Sequence, residues 1–77
     1  MNLYSVHFNG YWPVGAVAVV VADSLTTAEK HFNLHMTINY ADLMSENPEG
    51  LGVRVELLRT GLNLAAPSVH VLLDGNY

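Results

Sequence analysis

The sequence predicts an α+β domain: a small antiparallel sheet in the order β-β-α-(α)-β-β, with helix packed on one face. Three observations predict it. Apolar segments of strand length stand at both ends of the chain. A segment with apolar residues at helical spacing separates them. Turn signals, Asn9-Gly10 and Asn47-Pro48-Glu49-Gly50, mark the breaks.

Residues 3–8 read as the first strand. Tyr4, Val6 and Phe8 share an apolar face, and Leu3, Ser5 and His7 share the other. Asn9-Gly10 tolerates positive φ and favours a hairpin. Pro13 cannot donate to a ladder, so regular pairing is expected to resume after it. The second strand, Val14 to Ala22, does not alternate. Both of its faces carry Val or Ala, which predicts burial on both sides and a central position. One face can pack on a helix; the other needs a cover, which a partner or a second copy could supply.

Ser24 predicts a helix start, because its hydroxyl can accept a free first-turn N–H. Leu25, Ala28, Phe32, His35 and Met36 fall on one stripe. The helix is expected to run to Met36. Asn39 can cap a second, short helix ending near Ser45, with Asn47-Pro48-Glu49-Gly50 closing the helical region.

A third strand is expected over residues 51–59. Leu51, Val53, Val55 and Leu57 would form its apolar face, opposite Arg54, Glu56 and Leu58. Residues 60–67 form a loop, and Ser68 to Leu73 a fourth strand. There Val69, Val71 and Leu73 would face one way, His70 and Leu72 the other. Hairpins are expected at both ends of the chain. Residues 1–77 make one domain, with no internal repeat or low-complexity tract.

Composition narrows the function. A chain of 77 residues buries only about 60% of its unfolded surface, and its stability margin is thin. No cysteine is present, which excludes disulfides and thiolate zinc sites. Charged residues are 13% of the chain and hydrophobic ones 51%. Typical domains carry about 25% charge, so apolar surface must be exposed somewhere, as at partner contacts. The formal net charge is −4, and the cations are only Lys30, Arg54 and Arg59. Direct nucleic-acid binding, which relies on clustered Lys and Arg, is not expected. Val14 to Ala22 is about half a membrane span, and Met1-Asn2-Leu3-Tyr4 lacks the basic start of a signal peptide. The expectation is a cytoplasmic protein without membrane contact.

No set of residues points to catalysis, a metal or a cofactor. His31 and His35 stand four apart on a helix and could share an ion, but zinc takes three or four ligands and the nearest acids, Glu29 and Asp42, complete no set. Ser68 and His70 would lie about 6–7 Å apart on one strand face, too far for a nucleophile–base bond, with Asp74 beyond them. Gly50-Leu51-Gly52 precedes a strand, whereas a phosphate cradle opens a helix. Binding residues are easier to nominate. Tyr11 and Trp12 sit in the first loop, and Trp and Tyr are enriched at hot spots. Asp42, Glu46 and Glu49 are the densest acidic group, suited to a basic partner surface.

The run Val19-Val20-Val21-Ala22-Asp23-Ser24-Leu25-Thr26-Thr27-Ala28-Glu29-Lys30, entered from an N-terminal hairpin, resembles small α/β proteins of phages and mobile elements, anti-CRISPR inhibitors among them. The resemblance covers about a third of the chain and carries over no functional residue. It implies a non-catalytic inhibitor or adaptor that occludes a nuclease or nucleoprotein complex. The alternative reading is a self-assembling structural protein, a homodimer or larger homo-oligomer joined through the Val14–Ala22 strand or an open sheet edge.

Overall fold

A computed structural model describes residues 1–10, 15–63 and 65–73. Four strands and two helices follow in the order β1 (Asn2–Asn9), β2 (Gly15–Ala22), α1 (Leu25–Asn39), α2 (Ala41–Glu46), β3 (Arg54–Arg59) and β4 (Ser68–Leu73). The α+β architecture expected from the sequence is present. The sheet is antiparallel throughout, with strand order β3-β1-β2-β4. β2 is central, as its continuous apolar run requires.

The last two strands do not form the expected hairpin. β3 pairs with β1 and β4 pairs with β2, so they occupy opposite edges. The connection between them, described at residues 60–63 and 65–67, passes the end of the central hairpin. It is held there by a reciprocal pair: the Met1 amino group donates to the Leu62 carbonyl at 2.9 Å, and the Leu62 N–H donates to the Met1 carbonyl at 2.7 Å. These bonds satisfy backbone groups that the crossing takes out of any ladder.

One sheet face carries the core. Tyr4, Val6 and Phe8 from β1 meet Ala16, Ala18, Val20 and Ala22 from β2 beneath Ala28, Phe32 and Met36 of α1. The small alanines of β2 let α1 approach, and the larger α1 side chains fill the space. Phe8 and Phe32 touch with ring centroids 5.2 Å apart and planes tilted by 59°, a geometry aromatic pairs favour. Leu43 of α2 and Leu51 close the core. Leu25 and His35 belong less fully to it than their spacing suggests: Leu25 is exposed at the helix start and His35 is half-buried.

Ser24 caps α1 as expected. Its backbone is extended (φ −151°, ψ 165°), and its hydroxyl accepts from the Thr27 N–H at 3.2 Å. The helix runs three residues past Met36. The second helix is capped by Tyr40, not Asn39: the Tyr40 carbonyl accepts from the Met44 N–H at 3.0 Å. Asn39 still has its backbone in α1, and its side-chain amide donates to the His35 carbonyl at 3.0 Å. At the end of α2, Asn47 Nδ2 donates to the Leu43 carbonyl at 2.8 Å.

β3 begins at Arg54 rather than at 51. Gly50 and Gly52 take φ of +103° and +61°, which end the extended backbone before it. Leu51 is buried, Val55 is half-buried, and Val53 and Leu57 are exposed, so the expected apolar face is only partly covered. β4 departs from simple alternation. Ala18 pairs with Val71 and Val17 with Leu73, so Leu72 is the extra residue of a bulge. Leu73 therefore lies opposite Val17, on the other face from Val69 and Val71.

Candidate functional site: the helix-free face of the sheet

The alternate residues of the strands point away from α1 and α2. The register fixes them as three rows that cross all four strands. Arg59, Leu3, Val21 and Ser68 make the first; Glu56, Ser5, Val19 and His70 the second; Arg54, His7, Val17 and Leu73 the third. The β2 column is Val17, Val19 and Val21. Beside it on β1 stand Leu3, Ser5 and His7. The β3 column is ionic.

Burial follows the columns. Val21 is 6% and Ser5 7% exposed, although no helix covers them; Leu3, Val17 and Val19 are half-buried. Arg54, Glu56, Arg59, His7 and His70 are exposed. Among the described residues the buried Ser5 hydroxyl has no hydrogen-bond partner. Leu58, the extra residue where β3 bulges against β1, and Leu72 of the β4 bulge are both exposed.

A surface hollow of about 410 Å³ opens where His7, Arg54, Val55 and Glu56 meet. A smaller one, about 190 Å³, lies between Glu29, Asn33 and Val53. Neither gathers a nucleophile, base and orienting group. Among the described residues no three His, Asp or Glu side chains stand together as metal ligands. His31 and His35 both lie half-buried on α1; the His35 ring has its Nδ1 3.4 Å from Asn39 Nδ2 and its centroid 6.2 Å from that of Tyr40. Ser68 and His70 face the same way, opposite Val21 and Val19, and Asp74 lies outside the described residues. Among the described residues no helix is long and apolar enough to cross a membrane.

The residues nominated from sequence fall elsewhere. Tyr11 and Trp12 lie outside the described residues. Asp42 and Glu46 are exposed one turn apart on α2, and Glu49 is exposed in the turn after it. With Leu43 of α2 in the core, this acidic group belongs to the helical layer, whereas both arginines belong to the sheet. The acidic group and the two arginines thus stand on different layers, although Lys30 lies on α1 and Glu56 on β3. The helix-free face was missed as a unit because its rows join residues up to 66 positions apart, as His7 and Leu73 are. The signal that could have found it was the double-faced Val14–Ala22 run.

Comparison of the chain with protein-family models, curated proteins and solved structures finds no match.

Proposed function

We propose that this chain is a non-catalytic protein-binding domain of the inhibitor or adaptor class, and that it docks through the helix-free face of its sheet. The observation that carries the reading is the half-buried apolar centre Leu3, Val17 and Val19 with its ionic margin Arg54, Glu56 and Arg59. Apolar cores ringed by polar residues are the usual anatomy of a protein interface. The partner that fits offers an apolar surface with carboxylates beside it, placed for Arg54 and Arg59. Arg forms paired hydrogen bonds to carboxylates and suits such a margin. Occlusion of a nuclease or nucleoprotein complex is the form of this reading that the resemblance to anti-CRISPR inhibitors implied.

Asp42, Glu46 and Glu49 stand on the other layer and supply a second, longer-range element: attraction to a basic surface, felt in the association rate.

The test is affinity capture from native host lysate at two salt concentrations, with three forms of the domain. Val19→Lys places an ammonium in the apolar centre and is expected to lose the partner, as loss of a hot spot of about 2 kcal/mol or more does. The double variant Asp42→Lys, Glu46→Lys is expected to keep it while changing the salt dependence. Retention by Val19→Lys with loss by the α2 variant would move the docking surface to the helical layer and overturn the assignment. Circular dichroism of each variant separates loss of binding from loss of fold.

A further inference from the structure

The two edges of the sheet differ. β3 carries Arg54, Glu56 and Arg59 within six residues, the charged side chains by which natural edge strands resist pairing. β4, Ser-Val-His-Val-Leu-Leu, carries no Lys, Arg, Asp or Glu and no proline. Only β2 pairs with it among the described residues. Its outer side therefore presents alternate N–H and C=O groups with nothing in the chemistry of the strand to repel a second strand.

The helical layer continues this division. Glu29 and Asn33 of α1 border the hollow with Val53, just before β3, and so mark the flank of α1 that faces the β3 side. At 100° per residue the opposite flank holds His31, His35 and Ile38. That flank adds no Lys, Arg, Asp or Glu, and Ile38 is 69% exposed. The β3 edge is ionic; among the described residues β4 and the α1 flank of His31, His35 and Ile38 carry none of these charges.

We infer that β4 pairs antiparallel with β4 of a second copy, joining two four-stranded sheets into one of eight strands. A two-fold axis sets a surface against itself; β4 brings no Lys, Arg, Asp or Glu into such a contact, whereas β3 would bring Arg54, Glu56 and Arg59 into it, the charges by which an edge resists pairing. Side-chain direction fixes the register. Residues directly opposite must share a face. A two-fold at His70 satisfies this over Ser68–Leu72: Val69 meets Val71 of the copy on the helix side, His70 meets His70, and Ser68 meets Leu72. Val69 and Val71 already pack against the core, so their pairing makes the two cores continuous. The Leu72 bulge ends the ladder. This inference stands apart from the docking role of the helix-free face, since it uses the edge.

The experiment is sedimentation equilibrium of the full chain over a wide concentration range, with hydrogen exchange of residues 68–72 at the two extremes. Wild type is expected to dimerise, with added protection of the β4 amides at high concentration. His70→Lys sets two ammonium groups opposite each other at the axis and is expected to weaken the dimer about ten-fold or more. Leu58→Lys, an exposed position on the β3 edge, is expected to leave it unchanged. Because protection is read on wild type, the inference stays testable if His70→Lys misfolds. A monomer at every concentration overturns it and leaves the β4 edge to a strand from another protein. A dimer without β4 protection, or one weakened equally by both variants, also overturns it.

Discussion

Gly52 lies against Asn9: a β-carbon at position 52 would stand 2.7 Å from Asn9 Nδ2, on a backbone with φ of +61°. The approach is enforced by the Asn9 N–H, which donates to the Leu51 carbonyl at 2.7 Å and ties the end of β1 to the segment before β3. Gly61 has a similar φ of +70° but open space around it. Left-handed backbone costs a non-glycine residue about 1–2 kcal/mol. Gly61→Ala is expected to lose that amount, and Gly52→Ala more, because Asn9 must also move. Asn9→Ala in the Gly52→Ala background should recover the difference. Urea denaturation of the four proteins checks it; equal losses at positions 52 and 61 would mean that the Asn9 amide swings aside without penalty.

Ser5 gives a prediction of opposite sign. Its hydroxyl is buried on the face away from the helices and has no partner among the described residues. A buried polar atom without a partner costs about 1–3 kcal/mol. Ser5→Ala is expected to stabilise the domain by about 1 kcal/mol, seen as a higher urea midpoint with unchanged slope. No gain would show that solvent reaches the hydroxyl through the β1–β3 side.

Two residues of α1 separate core from surface. Phe32 is 1% exposed and Leu34 58%. Phe32→Ala leaves a cavity beneath Phe8 and is expected to lose about 3–5 kcal/mol, much of the stability of a domain this small. Leu34→Ala should fall within about 0.5 kcal/mol of wild type. Paired thermal melts test this, and comparable losses would contradict the packing of α1.

The start of α1 is set by one side chain. Ser24→Ala removes the acceptor of the Thr27 N–H and is expected to cost about 0.5–2 kcal/mol. Ser24→Asp keeps an acceptor there and should retain stability. If both variants melt alike below wild type, the hydroxyl contact with Thr27 Oγ1, 2.9 Å away, matters more than the cap.

What could be read in advance was local. Ser24 before an apolar stripe, Asn9-Gly10 after an alternating strand, and the unbroken valines of residues 17–21 each act within a few positions. They gave α1, the pairing of β1 with β2 and the centrality of β2; residues 11–14 of the turn lie outside the described residues. Partner choice was not local. β3 and β4 follow one another, and either a hairpin or two separate edges satisfies their apolar spacing. The vacant sides of β1 and β2 decided between them. Leu72 could not be assigned because a bulge is set by the register with β2, which the sequence of β4 alone does not contain. The helix-free face was out of reach for the same reason: its rows exist only once four strands are in register.

The crossing segment has a kinetic consequence. β1 and β2 are neighbours in sequence and meet by a short closure, whereas neither β3 nor β4 has a surface to join until that hairpin exists. Loop closure of this kind slows the later pairings. The two outer strands are thus expected to form late and to leave first. Substitutions there should act mainly on the unfolding rate, and substitutions in the hairpin on the folding rate. The same strands that offer the protein its edges also govern how long the folded chain lasts once made.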